Sequence, residues 1–108
     1  MKFLLMLCAD TSVEQSYELP GCEEWSKEMA DRGVLVDAIG LHPPASASTV
    51  RVRGDEVLLT DGPFAETKEQ MAGFDVLECS SLDEAIEVAT KHPMARHGLI
   101  EVRPFWHE

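Results

Sequence analysis

Short apolar runs alternate along this chain with apolar residues spaced three and four apart, a pattern that predicts a mixed α and β domain. Lys2 to Ala9 is nearly all apolar, as expected of a strand in the middle of a sheet. Asp10 ends that run after about seven apolar residues, too few to span a membrane. No small-residue cleavage site followed by an independent mature domain marks it as a signal peptide. A polar loop comes next. From Leu19 to Arg32 the spacing turns helical: Cys22, Trp25 and Met29 share one stripe, Pro20 suits the first turn, and Gly33 supplies the stop. Glu23 with Lys27 and Glu28 with Arg32 stand four apart on the outer side.

Val34 to Leu41 returns to strand composition, and "HPPASAS" interrupts it. Thr49 to Asp61 reads as a hairpin in which Val50 and Val52 alternate with Arg51 and Arg53, Gly54-Asp55 makes the turn, and Val57 and Leu59 alternate beyond it. Gly73 to Cys79 is a further strand. Ser81 to Glu84 forms a capping box, after which Leu82, Ala85, Ile86 and Ala89 keep helical spacing until Pro93. Leu99 to Phe105 alternates Ile100 and Val102 with Glu101 and Arg103, a half-exposed closing strand. Strand, helix, strand, inserted hairpin, strand, helix, strand is the order of a ferredoxin-like α+β sandwich made of two split βαβ halves, in a single domain over residues 1–108. Both helices then cover one face of the sheet. The other face, to which Phe3, Leu5 and Leu7 are assigned, is expected to meet the sheet of a second subunit in a homodimer.

Composition narrows the partners. Twenty acidic residues against nine Lys and Arg give a net charge of −11, a field that repels phosphate backbones and excludes nucleic acid. Cys8, Cys22 and Cys79 are odd in number and lack CxxC spacing, which argues against a disulfide framework or a zinc site. They read as free thiols in a reducing, cytoplasmic compartment.

Few motifs carry chemistry. Nothing resembles GxSxG, a Walker loop, GxGxxG or HExxH, and no cofactor is implied. His92 and His97 stand five apart across Pro93 and share no helical face, so His92 reads as a helix C-terminal cap and not a metal ligand. His42 follows a strand end and precedes Pro43-Pro44, a rigid loop suited to a pocket rim. The densest polar stretch is "TDGPFAETKEQMAGF", residues 60–74. There Asp61 ends a strand, Gly62-Pro63 turns the chain, Phe64 anchors the corner in the core, and Ala65 to Met71 has the composition of one or two helical turns. Such turns would set Glu66, Glu69 and Gln70 on one face and Lys68 on another. The functional reading makes Asp61 a proton acceptor and Lys68 or Arg51 the cation that stabilises developing negative charge, with His42, Phe64, Glu66 and Glu69 lining the ligand. The plainer reading has Asp61 holding the corner through backbone amides and the other charges in water.

The same stretch, "LTDGPFAETKEQMAGF", resembles the signature of the DGPF group within the YCII-related (YciI-like) family. "MKFLLMLCAD", "LHPPASASTVR", "SLDEAIEVATKHP" and "GLIEVRPF" are similar to that family's first strand, Pro-rich loop, second helix and closing strand. The resemblance implies a ferredoxin-like fold pairing as a dimeric α/β barrel. It also implies an acid/base centre in which a first-helix histidine pairs with an aspartate, although Cys22 stands at the matching position here. Two functions follow: a protein that binds an unknown small molecule, with carboxylate acid/base chemistry near the DGPF turn, or a regulatory module partnered with an extracytoplasmic-function sigma factor.

Overall fold

The computed structural model describes residues 1–10 and 19–107; the polar loop expected after the first strand lies outside them. Strands β1 (Lys2–Asp10), β2 (Leu35–Gly40), β5 (Glu69–Glu78) and β6 (Leu99–Pro104) form an antiparallel sheet in the order β2-β5-β1-β6. Helices α1 (Cys22–Asp31), α2 (Leu82–Thr90) and the single turn α3 (Met94–His97) complete the body, and β3 (Ser48–Arg53) with β4 (Glu56–Asp61) makes a separate hairpin. Each outer strand is separated from its sequence neighbour by an inner one, an order compatible with a ferredoxin-like α+β fold.

Local chemistry sets the helix ends. Gly21, at φ 96°, turns the chain into α1, so the helix begins at Cys22 and not at Leu19. It closes on Gly33, at φ 75°, where Gly33 N–H donates to Ala30 O and Val34 N–H to Met29 O, the paired bonds of a Schellman motif. In α2 the Ser81 hydroxyl accepts from Glu84 N–H at 3.1 Å, and the Glu84 carboxylate accepts from Ser80 N–H at 2.8 Å. Arg32 pairs with Glu87 of α2 at 3.1 Å, tying two helices across the surface in place of the expected pair with Glu28.

The core is one layer between the sheet and the helices. Phe3, Leu5 and Leu7 face the helices, opposite to their expected side, and pack with Leu77, Trp25, Met29 and Val88. On α2 the buried stripe is Ala85, Val88 and Ala89, while Leu82 and Ile86 are exposed. The open face of the sheet instead carries Leu4, Met6, Phe74, Val76 and Ile39, since register sets Leu4 against Val76 and Met6 against Phe74, with Ile39 beyond. Between Leu7 and Cys8 the β1–β5 register shifts by one residue, at Ala72. This bulge switches the helix-facing positions of β5 to Gly73, Asp75 and Leu77.

The segment expected to be helical is not. Glu69, Gln70 and Met71 belong to β5, paired with Asp10, Ala9 and Cys8. An extended backbone sends alternate side chains to opposite faces, so Glu66, Glu69 and Gln70 form no common helical surface. Phe64 is 81% exposed and anchors nothing in the core.

Three substitutions test this packing. Leu77→Ala should cost about 2–5 kcal/mol in urea denaturation, whereas Val52→Ala on the exposed hairpin should stay within about 0.5 kcal/mol. Gly98→Ala should be at least as damaging as Leu77→Ala, because its Cβ would lie 2.1 Å from the Cys8 carbonyl oxygen.

Candidate functional site

Acidic side chains rarely enter a core without a partner. Asp75 does so here. It stands on β5 opposite Leu5 of β1 and Ala38 of β2, and only 3% of it is exposed. Its Oδ2 accepts no hydrogen bond, and His92 Nε2 lies 3.5 Å from it.

His92 sits between α2 and Pro93 and is equally buried. Its Nδ1 accepts the Met94 N–H at 3.0 Å, and its ring meets Trp25 edge-on at 4.5 Å. That hydrogen bond assigns the tautomer: Nδ1 carries the lone pair, so the proton of the neutral ring sits on Nε2, the nitrogen 3.5 Å from Asp75 Oδ2 but out of line for a hydrogen bond to it. A second proton on Nδ1 would oppose the Met94 N–H. The expected helix-capping role is therefore replaced by a buried acceptor on the far side of Pro93.

Burial dominates the electrostatics. It pushes the Asp75 carboxyl up to about 7, with Asp37 adding repulsion, and pushes His92 down to about 4. Near neutrality the imidazole is uncharged and the carboxyl is poised between its two forms. This is the condition for a general base that works at physiological pH.

Both groups line a cleft of about 150 Å³ with Cys22, Ser26, Gly73 and Met94. Gly73 is required by close approach, since a Cβ there would lie 2.6 Å from the Ile39 carbonyl oxygen. Cys22 is half-buried, and burial, with Asp75 and Glu24 contributing, raises its thiol above the usual range despite the Leu19 backbone. It is thus held as a thiol and not as a thiolate.

The residues singled out from sequence lie elsewhere. His42 borders a second groove, about 300 Å³, walled by Pro43, Pro44, Pro63, Gln70 and Met71, so the Pro-rich loop and the Gly62-Pro63 corner do meet. Asp61, Arg51, Phe64, Glu66, Lys68 and Glu69 line neither cavity, and all six are exposed. Lys68 Nζ lies 3.8 Å from Asp10 Oδ2. Among the described residues Asp61 makes no side-chain hydrogen bond; the corner is held by Thr49 Oγ1–H donating to Gly62 O at 2.9 Å and by Gly62 N–H donating to Ala47 O at 2.7 Å. No group of three or more His, Cys, Asp or Glu among the described residues is arranged to hold a metal.

A family model for the YCII-related domain matches residues 1–107. The chain belongs to the YCII-related family. An uncharacterized protein of Rhizobium meliloti (strain 1021) is 41% identical over 80 residues, which cover 72% of this chain and 64% of that protein. The match therefore spans less than two thirds of the relative's length. In this YCII-related chain Cys22, the first residue of α1, borders the cleft, and the imidazole beside Asp75 comes from His92, beyond the second helix. Sequence reasoning missed both members of the pair. The available signal was an Asp sharing strand parity with Gly73 and Leu77 in "GFDVLE".

Between about pH 4 and 7 the folded state holds a proton on Asp75 that the unfolded state releases, so this group removes stability as pH rises. His92 acts in the opposite sense: neutral when folded and protonated when unfolded between about pH 4 and 6.5, it removes stability as pH falls. Asp75→Asn should accordingly gain Tm relative to the parent chain progressively from about pH 4 to 8. A difference in Tm that stays flat over that range would contradict burial of an ionising carboxyl.

Proposed function

We propose that this domain binds a small molecule in the cleft between α1, the α2–α3 connection and the β2–β5 ladder, and acts on it by acid/base chemistry. The observation that supports this is a single one: a carboxylate oxygen, Asp75 Oδ2, buried without a hydrogen-bond partner in the wall of a cavity. Asp75 is the proton acceptor. His92 is a positioning residue, packing its Nε2 edge against the carboxylate at 3.5 Å from a ring fixed by Met94 and Trp25. The groove beside His42 lies at the same end of the β2–β5 ladder, where Gly40 pairs with Gly73 and Leu41 N–H donates to Ala72 O. It serves as the outer rim, to which the 60–69 segment contributes Pro63.

The apolar open face of the sheet suits pairing with a second copy as a dimeric barrel. Free Cys8, Cys22 and Cys79 suit a cytoplasmic setting. Among the described residues no helix is long and apolar enough to cross a membrane. One observation favours the regulatory reading: on the hairpin, Val50 stands opposite Leu59 and Val52 opposite Val57, all four more than half exposed, an apolar strip available to a protein such as a sigma factor.

Deuterium wash-in tests the acid/base reading even with the substrate unidentified. Incubated in D2O with a pool of small carbonyl compounds and amines, the protein should catalyse exchange at one compound's acidic C–H, with a rate that rises through about pH 7. Asp75→Asn should lower that rate by roughly 10²–10⁴-fold. Exchange that persists in the variant, or is absent across the pool, rules the proposal out.

A further inference from the structure

The cleft has a charge defect that identifies what enters it. No lysine or arginine is among the residues that line it. His92 supplies no positive charge either, because the Met94 N–H already occupies its Nδ1. Asp37 on β2 adds a second negative group that acts on Asp75, and the whole chain carries −11. Asp75 itself is 3% exposed, and its Oδ2 has no donor. Among the described residues the cleft therefore holds no positive charge beside the carboxylate, and a cationic ligand would supply the missing counter-charge.

Size and lining set the rest. A cavity of about 150 Å³ holds a molecule the size of benzene. Leu7, Ala38, Ala72 and Met94 make much of its wall apolar, which suits an organic body better than a hydrated inorganic ion. A bare metal ion fits poorly too, since the described residues offer no third ligand beside Asp75 and His92.

We infer that the ligand of this cleft is a benzene-sized organic monocation, an amine or amidine whose N–H groups donate to Asp75 Oδ2. The inference rests on the reading of the Asp75–His92 cleft as the binding site, and it adds the chemical class of the ligand. Anions of the same shape are excluded by Asp75. Neutral isosteres satisfy the lone pair but leave the charge uncompensated.

Three fragments of nearly equal shape separate the cases: benzamidine, benzamide and benzoate, titrated into the full chain at low salt and followed by NMR shifts of the amides of Gly73 and Met94. At about pH 8 benzamidine should bind at least about tenfold more tightly than benzamide, and benzoate should not bind. Lowering the pH to about 5 should weaken benzamidine by at least about tenfold as Asp75 takes up its proton. Asp75→Asn should bring benzamidine and benzamide to the same affinity. Binding of benzoate, equal affinity for the amidine and the amide in the parent chain, a preference that survives Asp75→Asn, or no binding of any fragment overturns the inference. Because the readout is binding alone, its failure is separable from that of catalysis. Cation selectivity without deuterium exchange would uphold the ligand class and remove the acid/base chemistry. Exchange on an uncharged compound, without cation selectivity, would do the reverse.

Discussion

One indole holds the candidate site together. Trp25 donates its Nε1–H to the carbonyl oxygen of Val88 at 3.0 Å, so a side chain of α1 satisfies a backbone acceptor near the end of α2. The same ring lies edge-on to His92 at 4.5 Å. Helix-to-helix spacing, the exit of α2 and the orientation of the imidazole thus depend on a single residue that is itself 4% exposed. Without it, nothing but Met94 N–H would fix the ring that faces Asp75. A bulky aromatic with one polar handle suits this task, because it fills volume and directs a hydrogen bond at once.

The rest of the core is ordinary aliphatic packing, and that contrast gives Asp75 its meaning. Phe3, Leu5, Met29, Leu77 and Val88 are fully buried and cohesive. Within that layer a carboxyl without a hydrogen bond to its Oδ2 opposes folding whenever it ionises. Stability is given up at one position, the one that the proposed acid/base chemistry would use as its base. Cys22 at the start of α1 belongs to the same environment. Burial raises its thiol as it raises the Asp75 carboxyl, and both residues line the same cleft.

Features written in local chemistry were legible in the sequence. The Schellman stop at Gly33, the cap at Ser81 and the Gly54-Asp55 turn each rest on a few neighbouring residues, and all stand where the residue types place them. Features set by distant partners were not. Ala65 to Met71 is rich in helix formers, yet β1 runs on to Asp10 and its ladder draws Glu69 to Met71 into a strand, overriding propensity. The inward face of β1 reads to the wrong side because a central strand apolar on both faces has no alternation to follow. Asp75 and His92 are 17 positions apart and meet only after two elements have packed, whereas Asp61 stands out through an unusual local motif.

The bulge at Ala72 makes the cleft a matter of counting. Upstream of it, Gln70 shares a side with Ala9; downstream, that side passes to Gly73, Asp75 and Leu77. Chain length on the two sides of this point is therefore not equivalent for evolution. The stretch between Gly62 and Lys68 belongs to neither ladder and can gain or lose residues without altering which groups look inward. A single insertion or deletion between Ala72 and Asp75 would exchange the two faces, carrying the carboxyl out to the open surface and turning an apolar neighbour toward His92. Within β5 the frame of the strand matters to the cleft as much as the identity of its aspartate.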